Sequence, residues 1–62
     1  MVYDNVIKYC EQNGISISAF EQKCGLSNGL VGKWRENNFQ PSIETLQKIV
    51  SATGVPINDW LK

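Results

Sequence analysis

The chain contains no histidine. Its absence removes the commonest general base at neutral pH and the commonest metal ligand. Cysteine is nearly absent as well: Cys10 and Cys24 are the only two in 62 residues. That is too few for a zinc site without histidine, or for the disulfide framework of a small secreted scaffold. The two read as reduced thiols, buried as small hydrophobes in a cytoplasmic protein. No glycine-rich phosphate loop, no cysteine with a base partner and no paired-carboxylate motif is present. No catalytic residue, metal or cofactor is therefore assigned.

Long apolar runs are missing too. No stretch approaches the roughly 20 residues that a membrane helix needs. The N-terminal MVYDN lacks a basic region followed by an apolar run, so neither membrane nor export is expected. Nothing points to a small-molecule ligand. An excess of charge is also lacking, with six Lys or Arg against six Asp or Glu. Nucleic-acid binders usually carry a positive excess, because phosphate neutralisation supplies most of their non-specific affinity. Any such surface here must work with few cations.

What the chain does have is helical periodicity, over one domain spanning residues 1–62. Val6, Ile7 and Cys10, with Val2 or Tyr3 a turn earlier, share a helical face ahead of the stop Asn13-Gly14. This spacing predicts a first helix over about residues 3–12. Ser16 caps a second helix at about 17–24, although Ser18 and Glu21 form a competing capping box. Phe20 and Cys24 lie on its inward face, and Gly25 ends it. Ser27 then caps a third helix at about 28–36, with Val31 and Trp34 inward and Leu30 at their edge. About three residues join these two helices, too few for an antiparallel return, so they cross steeply as a helix-turn-helix over about residues 17–36. Beyond Pro41, Ser42 caps a fourth helix whose Ile43, Leu46, Ile49 and Val50 form a stripe up to Gly54. Val55-Pro56 opens a short fifth helix with Ile57, Trp60 and Leu61 available for burial. No strand pattern competes, so the expected fold is all-α.

The glycine turn followed by Leu26-Ser27, the Pro41-Ser42 helix start and the closing Thr-Gly-Val-Pro-Ile-Asn-Asp-Trp-Leu, in that order, resemble the Cro and cI type (XRE-like, phage-repressor-like) helix-turn-helix domains. The likeness runs from about residue 5 to 61. It implies a compact five-helix, lambda-repressor-like domain that binds double-stranded DNA as a transcriptional regulator, commonly a repressor. The third helix would enter the major groove, within a homodimer on a near-palindromic site. Two departures stand out. Glu21 occupies a position that is typically alanine in the family, and it is expected to fold back on the start of the second helix or to pair with Arg35. The loop after the third helix, often basic in relatives, reads Asn-Asn-Phe-Gln here.

On the third helix Asn28, Gly29, Gly32, Lys33 and Glu36 point outward. Asparagine can pair bidentately with adenine, and lysine can donate to guanine O6 and N7. Asn28 and Lys33 are thus the candidate base readers, with Gly29 and Gly32 allowing the backbone to approach the groove. Phosphates would be held by free amides after Ser16 and Ser42, by the hydroxyls of Ser18 and Ser27, and by Arg35, Asn38 and Gln40. In relatives the self-contact runs from the loop after the third helix through the fifth, where Phe39, Val55, Pro56, Ile57 and Trp60 offer apolar material. Zero net charge, with Glu21 and Glu36 near the working face, keeps a second class open: a protein-interaction module of the same fold with little DNA affinity.

Overall fold

The computed structural model describes residues 2–36 and 41–62, and every regular element among them is an α-helix. In chain order these are α1 (Val2–Asn13), α2 (Ile17–Cys24), α3 (Leu30–Glu36), α4 (Ile43–Thr53) and α5 (Ile57–Leu61). Phe39, Asn38 and Gln40, which carry part of the expected contacts, lie outside the described residues.

Local signals set most of the boundaries. Ser16, in extended backbone, accepts the Ala19 amide on its hydroxyl at 3.0 Å, which decides the choice between it and Ser18. At the other end of α2, Gly25 takes the left-handed conformation (φ 69°, ψ 32°). Its amide donates to the Gln22 carbonyl at 3.2 Å, and that of Leu26 to the Glu21 carbonyl at 2.8 Å. This pair of bonds satisfies carbonyls that the helix end would leave open. The Ser42 hydroxyl accepts the Thr45 amide at 3.2 Å to start α4.

The core gathers one face from every helix: Val2, Val6 and Cys10 of α1, Phe20 and Cys24 of α2, Val31 and Trp34 of α3, Leu46 and Ile49 of α4, and Trp60 of α5. Helix α1 packs against α2, α3 and α5, while α4 covers α2 and α5. At the centre Tyr9, Phe20 and Trp60 form a three-ring cluster, with centroids 5.6–5.9 Å apart and rings inclined by 53–69°. Inclined pairs of this kind set the positive edge of one ring against the negative face of another. The Trp60 indole N–H donates to the Val55 carbonyl at 3.3 Å, so its polar atom is satisfied. The Asn5 amide donates to the carbonyls of Trp60 and Lys62 at 2.8 and 3.3 Å, fastening the open end of α5 to α1.

Several apolar residues do less inside than their spacing suggested. Ile43 is 63% exposed and Leu61 51% exposed, and Ile7 is only half-buried. Each three-residue step falls about 60° short of a full turn, so Ile43 sits about 120° away from Ile49 around α4. Leu61 directly follows the inward Trp60 and is turned about 100° away from it. Trp60, expected among the residues of a self-contact, is 2% exposed; its surface is already covered by this chain's own core.

Candidate nucleic-acid interface

The turn between α2 and α3 is longer than its sequence suggests. Five residues, 25–29, separate the helices, and α3 begins at Leu30 rather than near Asn28. Gly29 is the cause: its φ of +87° lies in the left-handed region, so no helix can run through it. The Leu30 amide donates to the Ser27 carbonyl at 3.1 Å, closing a tight turn just before the helix. Asn28 and Gly29 therefore belong to the turn, not to the first turn of α3.

Ser27 is not the cap that its residue type suggests. Glu21 takes that role from the neighbouring helix: Oε1 accepts the Gly29 amide at 3.1 Å, and Oε2 accepts the Val31 amide at 2.9 Å. Glu21 reaches neither the start of α2 nor Arg35, the two expected destinations. It is only 3% exposed, and among the described residues no buried side-chain polar atom lacks a partner. Charge-assisted hydrogen bonds contribute roughly 1.5–3 kcal/mol each. The partial positive charge at a helix start adds up to about 2 kcal/mol. Together these offset the several kcal/mol needed to bury an ion.

The remaining described candidates lie on or beside the helix-turn-helix, except Ser42, which caps α4. Ser16, Ser18, Ser27, Asn28, Gly29, Gly32, Lys33, Arg35 and Ser42 are all exposed. Two hydroxyls are already engaged as caps, that of Ser16 on Ala19 and that of Ser42 on Thr45. Of the acidic residues, Asp4 and Glu11 lie on α1, Glu44 on α4 and Asp59 on α5. Glu21 is buried beneath the turn. The helix-turn-helix thus displays Lys23, Lys33 and Arg35, with Glu36 the one acidic residue left on the segment besides the buried one. Formal neutrality hides this uneven distribution.

Of the five residues read as a self-contact, Val55 and Ile57 are half-buried and Pro56 is exposed. Both cysteines are free and buried. Burial pushes both thiols above their ordinary range; for Cys24 the nearby Lys23 opposes the shift and Cys10 adds to it. A thiol held protonated is a poor nucleophile, which matches a packing role.

The two glycines of the turn and α3 are not equivalent. A methyl group added at either would meet no heavy atom within 4 Å, so backbone conformation alone decides the outcome. Gly32 lies in regular helix, and Gly32→Ala is expected to stabilise the fold by about 1 kcal/mol. Gly29→Ala must force an L-residue into left-handed backbone and is expected to destabilise by about 1–2 kcal/mol. Urea midpoints of the two variants check this: they should move in opposite directions.

The position missed by sequence reasoning is Glu21 as a cap. Its partners lie eight and ten residues downstream, beyond the three-residue reach of a local capping box. The available signal was a carboxylate at a position facing the next helix.

A helix-turn-helix family model matches residues 6–60 of the chain. The protein belongs to this family, in its Cro/cI-like form, and is in that broad sense a DNA-binding transcription regulator. No curated protein and no solved structure matches it. Among the described residues no helix is long and apolar enough to cross a membrane.

Proposed function

We propose that the protein binds double-stranded DNA sequence-specifically as a cytoplasmic transcriptional repressor. In this reading α3 and the turn before it enter the major groove, where Asn28 and Lys33 meet base edges. The amides at the starts of α2 and α4 that the cap hydroxyls do not take, with Arg35, Ser18 and Ser27, hold the flanking phosphates. Asn38 and Gln40 are proposed to extend these contacts. Gly32 leaves the outer face of α3 bare where the backbone nears the groove. A dimer on a near-palindromic site would place two copies about one helical turn apart, with Val55, Pro56, Ile57 and Phe39 proposed as the apolar material between copies. Joining two weak half-sites raises affinity without any new base contact.

The observation that carries this reading is the exposure of the candidate contact residues together with the removal of Glu21 from the surface of the same segment. Selection from random duplexes tests it. The expected outcome is enrichment of one near-palindromic sequence. Log affinity should fall with log salt at a slope no steeper than about −3 per protomer, since Lys23, Lys33 and Arg35 are the cations on the segment and any of them that meets a base edge neutralises no phosphate. A pool that stays random would instead favour the protein-interaction module.

A further inference from the structure

We infer that Glu21 is a positioning residue for base reading, a role that rests on the DNA-binding assignment above. Both ends of the turn are tied to this one residue. Its main-chain carbonyl accepts the Leu26 amide at 2.8 Å, and its carboxylate holds the amides of Gly29 and Val31 at 3.1 and 2.9 Å. The Gly29 N–H belongs to the peptide plane that leaves Asn28. A peptide plane is rigid, so fixing that N–H restricts rotation about the Cα–C bond of Asn28 and the direction in which the turn presents its side chain. The Val31 amide belongs to the first turn of α3, two residues before Lys33. One carboxylate therefore spans the two elements that carry the proposed base readers and sets their separation.

Glu21 is itself held firmly. It follows Phe20, which has no solvent exposure, and it lies three residues before Cys24, which is 5% exposed. Contact groups supported by an immobile second residue keep the sub-ångström precision that recognition requires. Neither Asn28 nor Lys33 touches the core in this way; both are exposed. Their placement comes from the backbone beneath them, and that backbone hangs from Glu21.

The test compares the full chain with E21Q and E21A. Glutamine keeps the shape but offers one acceptor oxygen and turns an NH2 donor toward the other amide; alanine removes both acceptors. In proton–nitrogen NMR spectra without DNA, the Gly29 and Val31 amide protons should move upfield and exchange faster in both variants. Affinity for the selected duplex should fall about tenfold in E21A, the size of one mis-set base contact, and less in E21Q. Affinity for an unrelated duplex should stay within about twofold, because phosphate contacts need less precision. The ratio of the two affinities is the deciding quantity, since any loss of folded protein lowers both equally and cancels. An unchanged ratio in both variants, or amide signals that do not respond, overturns the positioning role and leaves DNA binding intact. A wild-type chain that selects no duplex overturns both.

Discussion

Asn28→Ala and Lys33→Ala are each expected to weaken binding to the selected duplex by about five- to 150-fold, corresponding to the roughly 1–3 kcal/mol of discrimination that a base-edge pair provides. Both residues are exposed, so neither change should move stability by more than about 0.5 kcal/mol. Loss of binding would then reflect contact rather than folding. The two variants should also differ in kind. Asn28→Ala removes a neutral group, so it should relax preference at one position of each half-site and leave the salt slope unchanged. Lys33→Ala removes a cation. If the ammonium meets a guanine, preference at that base pair is lost; if it meets a phosphate, all sequences weaken alike and the slope becomes shallower by about 1. Repeating the selection with each variant at two salt concentrations separates these outcomes. Unchanged affinity and unchanged preference in both would remove these two residues from the interface.

Phe20→Ala is expected to abolish cooperative folding near room temperature. Phe20 has no solvent exposure and forms ring pairs with both Tyr9 and Trp60. It thereby links α2 to α1 and α5. Truncating a buried phenylalanine costs about 3–5 kcal/mol. At roughly 0.05–0.15 kcal/mol per residue, a chain of this length holds about 3–9 kcal/mol in total, so one substitution consumes much or all of the margin. Phe20→Leu, which keeps most of the volume, should retain a melting transition shifted downward. Thermal melts followed by circular dichroism decide the matter: a domain of this size loses about 4–8 °C per kcal/mol. A shift of only a few degrees in Phe20→Ala would mean that the ring cluster is not what holds the helices together.

Much of this fold is legible in the residues beside each boundary. Ser16, Gly25, Ser42 and Gly54 act within four residues of themselves, and such local bonds leave local signatures. The inward Val6, Cys10, Phe20, Trp34, Leu46 and Ile49 follow from helical spacing alone. The start of α3 does not. Ser27 offers a plausible cap, but the amides it would take are drawn by a carboxylate from another helix, and Gly29 has left the helical region altogether. Deciding that competition requires knowing how closely α2 and α3 approach, a tertiary fact with no short-range signature. The same limit explains Trp60. Both its core role and a role in self-contact fit an amphipathic last helix, and only its packing on Tyr9 and Phe20 separates them.

Glu21 grips main-chain N–H groups, which every residue except proline supplies. The side chains at 28, 32 and 33 can therefore be rewritten without removing anything the clasp depends on. Recognition and scaffolding are separable here: a new target sequence calls for new outward residues, while the frame that aims them stays in place.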